Sequence, residues 1–208
     1  MMKLLQTILL GVALIAALPT FAADPENTLV IEVAGENGGT IEIELLPELA
    51  PNHVERVKVL ARDGLYNNVA FHRVIEGFMA QTGDVTHGKI DGYLAQYAGQ
   101  GGSNYPNLMA EFTGEPYREG IVGMARGQNE NSANSQFFIM NKPDADKERA
   151  TRINEFLTGK YTVLGRVISG QTVVNAIKLG NPEMNGSVFD APDYMARVYI
   201  KADQADAQ

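Results

Sequence analysis

The chain has 208 residues, 45% of them hydrophobic, a formal net charge of −8 and no cysteine. That length supports one full core, and no Pro/Ser tract or charge run is long enough to be a linker, so one domain is expected over 23–208. The acidity argues against nucleic acid or an anionic membrane surface as a partner, and the lack of Cys excludes disulfides, thiol catalysis, cysteine zinc sites and a lipidated N-terminal Cys. With 21 glycines and only 20% charged residues, the composition suits a turn-rich β architecture better than a helical bundle.

Residues 1–22 form a separate object. Lys3 precedes an apolar run over 4–18, too short to span a bilayer comfortably, and small residues follow at Ala22-Ala23. This is the pattern of a cleaved secretory signal, with the mature chain starting at Ala23 or Asp24. The alternative, an uncleaved anchor, lacks a stop-transfer flank. A cysteine-free exported domain suits a periplasm, where thiols are oxidised.

Residues 28–34 alternate, with Leu29, Ile31 and Val33 on one face, and 40–46 repeat the pattern through Ile41, Ile43 and Leu45; the Gly-rich segment 35–39 between them reads as a hairpin loop. A helix follows, with Pro51 in its first turn, Val54, Val57, Leu60 and Ala61 at helical spacing, and Gly64 as its stop. The stretch 71–84 begins as a strand and turns at Gly77. From 83 to 106 the chain reads as loop, most flexible over 99–104. Strands are expected at 121–125, 136–140, 161–168 and 194–200, with an amphipathic helix at 171–179. The charged run 142–154 reads as a solvated insertion. Seven or eight strands and two helices, with no βαβ rhythm, point to a closed β-barrel capped by helices.

Arg73 lies between apolar residues in the strand at 71–75, where a guanidinium is costly to bury unpaired, so a polar group held against an apolar floor is expected there. The common catalytic patterns are otherwise missing. His53, His72 and His87 are dispersed without metal-ligand spacing, no serine lies in a Gly-x-Ser-x-Gly elbow, and Gly99-Gln100-Gly101-Gly102 lacks the Lys-Ser/Thr and helix start of a phosphate loop. Neither a metal nor a cofactor is expected. Because His72 neighbours Arg73 in a strand, it should face away and serve as scaffold.

The block Phe71-His72-Arg73-Val74-Ile75-Glu76-Gly77-Phe78-Met79-Ala80-Gln81-Thr82-Gly83-Asp84 resembles the signature of the cyclophilins, a class of peptidyl-prolyl cis-trans isomerases. Two further blocks agree in order, Gly120-Ile121-Val122-Gly123-Met124-Ala125 and Asn134-Ser135-Gln136-Phe137-Phe138-Ile139, and the resemblance covers about 29–200. It implies a closed eight-stranded antiparallel barrel capped by two α-helices and an isomerase acting on X-Pro bonds of exported proteins. Carried over by position, it makes Arg73 catalytic and Gln81 the group that orients the substrate backbone. Phe78, Met79 and Phe138 would floor the proline pocket with Leu157 on its wall. Ala125, Arg126 and Gln136 would line the groove for the residues before proline.

Phe156 and Tyr161 stand where relatives commonly carry Trp and His, and Phe156 implies weak cyclosporin binding because the indole donor is gone. Glu76 replaces a frequent Pro, and Arg126 replaces a frequent Asn. The expected partners are proline-containing, unfolded or partly folded exported polypeptides, met by a monomer with no membrane-integral part after signal cleavage. A module that binds or chaperones proline segments through the same groove is the competing reading.

Overall fold

In the computed structural model, residues 23–205 are described; the expected signal at 1–22 lies outside them. Nine antiparallel strands form one sheet: β1 (Thr28–Ala34), β2 (Gly39–Leu45), β3 (Val69–Ala70), β4 (Arg73–Ile75), β5 (Met79–Thr82), β6 (Ile121–Met124), β7 (Phe137–Met140), β8 (Val163–Ser169) and β9 (Tyr194–Ile200). Their order across the sheet is β3-β9-β1-β2-β8-β6-β7-β5-β4. The edge strands β3 and β4 are consecutive in the chain, separated only by Phe71 and His72, so the sheet curls until its two edges meet covalently rather than through a ladder. The expected closed barrel of eight strands is corrected to a curled sheet of nine, because what reads as one strand from 69 to 75 changes partners at Phe71-His72.

The alternation of each strand separates two apolar clusters. Inside the curl, Leu29, Ile31, Ile41, Ile43, Val74, Ala80, Val122, Phe137 and Ile139 join the main core. Helix α1 (Pro51–Arg62) adds Val54, Val57, Leu60 and Ala61 to it. Ala50 offers this helix no side-chain cap, and Glu111 supplies one from a distant loop by accepting from the amides of Asn52 and His53, each at 3.2 Å, and binding His53 Nδ1 at 2.6 Å. Burial raises the Glu111 pKa, yet the His53 and Asn52 bonds outweigh it and hold the carboxyl below its ordinary range.

On the outer face a second cluster gathers Leu46, Met79, Tyr117, Phe138, Met140, Leu157 and Val163. The run 142–154 is mostly exposed, as a solvated insertion should be, but it is not without structure. It contributes helix α2 (Lys147–Leu157), capped by Asp146 through the amides of Glu148 and Arg149. Ile153 and Leu157, four residues apart, turn one apolar stripe onto the outer cluster while the charges face water. The expected helix at 171–179 is the shorter α3 (Gln171–Ala176), and a last turn, α4 (Ala202–Ala205), follows β9. Among the described residues no helix is long and apolar enough to cross a membrane.

Candidate active site

Strand register builds the site. Arg73 on β4 pairs with Gln81 on β5, Gln81 with Phe138 on β7, and Phe138 with Gly123 on β6, which makes a row of four residues across the outer face. Val74 and Ala80, one position along, point into the main core. Arg73 is therefore not an arginine in a core; it stands on the outer face of a strand whose inner face is apolar. Gly123 makes room in this row, since a Cβ there would lie 2.5 Å from Phe138 Cζ and 2.6 Å from the Tyr117 hydroxyl.

The half-buried Arg73 guanidinium is held on two sides. Nε donates to the Asn185 carbonyl at 2.9 Å and one terminal nitrogen to Asn185 Oδ1 at 3.0 Å, while the other donates to Gln81 Oε1 at 3.1 Å. Burial lowers the Arg73 pKa from its ordinary value, with Tyr161 opposing, but a guanidinium keeps its proton at any working pH. Three of its five N–H groups are engaged, leaving two to donate elsewhere. The polar chain continues from Gln81 Nε2 to Gln136 Oε1 at 3.0 Å, and from Gln136 Nε2 to the carbonyls of Gly99 at 3.0 Å and Gly101 at 2.7 Å.

The apolar side is organised by Tyr161 and Phe138. Phe138 stacks on Tyr117 at 5.7 Å between centroids and meets Tyr161 edge-on at 6.0 Å. Met79 and Leu157 are almost wholly buried beneath, and Phe78, Ala125 and Tyr161 pack on the same cluster with part of their surface free. Phe156, 56% exposed at the end of α2, tilts against Tyr161 at 5.9 Å. Arg126 lies over the Tyr161 ring, 4.5 Å from its centroid.

Segment 99–104 is fixed where flexibility was expected. The fully buried Asp84 carboxylate accepts from the amides of Thr86 (3.1 Å), His87 (2.8 Å), Gly99 (2.8 Å) and Gly101 (2.9 Å). Burial pushes its pKa up, but the four N–H groups outweigh that and leave it below the ordinary range. His72 is buried, and its ring meets the space where a Cβ on Gly99 would be, at 3.0 Å from Nε2. Burial lowers the His72 pKa to about 4, against a smaller opposing pull from Asp84.

The structure thus brings Arg73, Gln81, Gln136, Phe78, Phe138, Ala125, Arg126, Phe156 and Tyr161 to one groove, with Met79 and Leu157 as support below its surface. Sequence reasoning missed Asn185, Tyr117 and Gly123. Asn185-Gly186 is a turn signal, and Asn185 takes a left-handed φ of 53°, but nothing local reveals that it reaches Arg73.

The comparisons with known proteins agree with this geometry. Residues 28–200 match the family model described as cyclophilin type peptidyl-prolyl cis-trans isomerase/CLD. The chain is 52% identical over 183 residues to a probable peptidyl-prolyl cis-trans isomerase of Brucella suis, covering 88% of this chain and 86% of that one. It is 36% identical over 137 residues to peptidyl-prolyl cis-trans isomerase B of Bacillus subtilis, covering 65% and 80%. A crystal structure of a cyclophilin from Hirschia baltica superposes with a TM-score of 0.66 at 26% identity, over 87% of this chain and 76% of that one. A strand-built groove with a fixed arginine over an aromatic floor and a family match across nearly the whole described chain lead to one conclusion: the chain belongs to the cyclophilin-type peptidyl-prolyl cis-trans isomerases.

Proposed function

We propose that the groove at Arg73 is where this isomerase twists X-Pro bonds, and that Arg73 is its catalytic residue. The observation that carries this is the clamped guanidinium with two uncommitted N–H groups beside the Phe138 floor. An X-Pro amide rotates over a barrier of about 18–20 kcal/mol because its C–N bond has partial double-bond character. Twisting breaks that conjugation and leaves a more pyramidal, more basic prolyl nitrogen. A fixed donor aimed at this nitrogen binds the twisted state more strongly than the planar one, which is the requirement for catalysis.

Phe78 and Phe138, backed by Met79 and Leu157, hold the pyrrolidine ring while the preceding carbonyl turns, and Tyr161 and Phe156 flank it. Gln81 orients the substrate backbone and keeps Arg73 in place, and Asn185 holds Arg73 from the opposite side. Ala125, Arg126 and Gln136 receive the residues before proline. No covalent intermediate is needed.

The apolar run and small residues within 1–22 support export to the periplasm, with folding exported proteins as clients. A protease-coupled isomerisation assay on the chain from Asp24 onward, wild type against Arg73→Ala, tests the assignment. A fully active variant overturns it.

A further inference from the structure

Beside Gln81, a cavity of about 300 Å³ opens between segment 99–101 and the turn at 125–127. Arg126 is the one formally charged residue in its lining, in a protein whose net charge is −8. Every hydrogen bond of this guanidinium goes to a backbone carbonyl. Nε and one terminal nitrogen reach Lys160 at 3.3 and 3.0 Å, and the other reaches Gly127 at 3.0 Å and Gln128 at 3.3 Å. The plane rests on the Tyr161 ring. Neutral acceptors fix the cation without cancelling its charge, so it is both pre-organised and uncompensated.

The nearby carboxylates do not fill that role. Asp84 lies behind Gly99 and Gly101 with four amides on its oxygens, and Glu130, in the exposed turn beyond Arg126, lines no part of the cavity. Arg73, whose Gln81 partner also lines this cavity, is likewise bound only to neutral oxygens. Neither guanidinium is hydrogen-bonded to a carboxylate, so a substrate lying along the groove can meet the charge of both. Tyr161 links the proline floor to Arg126, its ring centroid lying 6.0 Å from that of Phe138 and 4.5 Å from the Arg126 guanidinium. Arg126 is then within about 10 Å of the proline floor, a reach of two to three extended residues.

We propose that Arg126 makes this groove select proline segments that carry a glutamate or aspartate two or three residues before the proline. The proposal rests on the isomerase reading of the groove and adds a substrate class to it.

The test compares N-acetyl-Glu-Ala-Pro-Phe with N-acetyl-Gln-Ala-Pro-Phe, each as the C-terminal amide, on the chain from Asp24 onward. Turnover is read by exchange NMR and Kd by calorimetry. At low salt the glutamate peptide should show a kcat/KM about two- to fivefold higher, the range for a solvent-accessible ion pair, and 0.5 M NaCl should erase most of the difference. In Arg126→Gln the ratio should fall to about one, and in Arg126→Glu a lysine peptide should overtake the glutamate peptide. Because both peptides are read on the same protein, a loss of folded fraction cancels from the ratio. Equal use of the two peptides by the wild type, or a glutamate preference that survives in Arg126→Gln, overturns the proposal while leaving the isomerase reading intact. If neither peptide is turned over, the isomerase reading fails, and the ratio of Kd values still decides for or against an acidic preference.

Discussion

On one bank of the groove, Arg73, Gln81, Phe138 and Gly123 stand in a row because adjacent strands are in register and the outer apolar cluster lies beneath them. On the other bank, segment 99–104 has no strand and is held by polar groups, the buried Asp84 on its amides and the half-buried Gln136 on its carbonyls, over the ring of His72. Backbone pairing and apolar packing do not titrate, whereas a buried carboxylate and a buried imidazole do. The same groove thus combines a strand-built bank indifferent to pH with a loop-built bank that weakens in acid.

The sharpest way to break the second bank is to remove its anchor. Asp84→Ala leaves four amide donors without their acceptor, and the variant should lose about 3 kcal/mol or more of stability, measured by urea unfolding. Asp84→Asn should recover part of this, since its carbonyl can still serve two of the four. Unchanged stability in the alanine variant would mean that the loop is held by something else. On the first bank, Arg73→Ala should raise the activation barrier by about 2–4 kcal/mol while leaving the unfolding midpoint nearly unchanged, because Arg73 itself belongs to neither apolar cluster. Wild-type turnover should be flat from about pH 6 to 8, since Arg73 does not titrate there. A bell-shaped profile would bring His72 into the chemistry.

Acid sharpens the comparison further. Burial lowers the folded-state pKa of His72 to about 4, and in the unfolded chain it returns to about 6.5, so below pH 6.5 the unfolded state takes up the proton first. Stability is therefore full above about pH 6.5 and declines as the pH falls towards 4, by a contribution on the order of 2–3 kcal/mol. His72→Leu should flatten the decline between pH 6.5 and 4.5 in denaturant titrations. Some slope will remain, because burial also lowers the His53 pKa and acts in the same direction. An equally steep decline in the variant would show that His72 does not limit acid stability.

The two banks also differ in how far the sequence exposes them. Period-2 alternation placed β1, β2, β6, β7, β8 and β9 to within about two residues at most ends, and the motif residues Arg73, Gln81 and Phe138 lie in one cross-strand row with Gln136 bonded to Gln81. Two features depend on partners distant in sequence and left little local trace, and a third was legible but masked. The sheet edges meet at Phe71-His72 only because β3 and β4 pair with strands β9 and β5 respectively. Asp84 binds amides 15 and 17 positions away in a glycine-rich segment, which composition alone marks as mobile. The charged face of α2 concealed its apolar stripe, although the Asp146 cap and the Ile153/Leu157 spacing were there to read.

Asn185 is the extreme case, 112 positions from Arg73, and it yields the smallest expected effect. It is exposed and accepts from Arg73 through both its carbonyl and its side chain, so the two contacts can be separated. Asn185→Gly keeps the left-handed backbone and the carbonyl and deletes only Oδ1. One solvent-accessible hydrogen bond to a charged group is lost, so kcat should fall by about three- to tenfold, roughly 1 kcal/mol, with KM little changed, because the arginine remains but is less firmly aimed. Asn185→Asp should recover the geometry while drawing charge from the guanidinium, restoring less than full turnover. A double-mutant cycle with Arg73→Ala then decides whether the effect runs through the arginine. In the Arg73→Ala background, Asn185→Gly should cost nothing further, and a full additional loss there would assign Asn185 a role of its own.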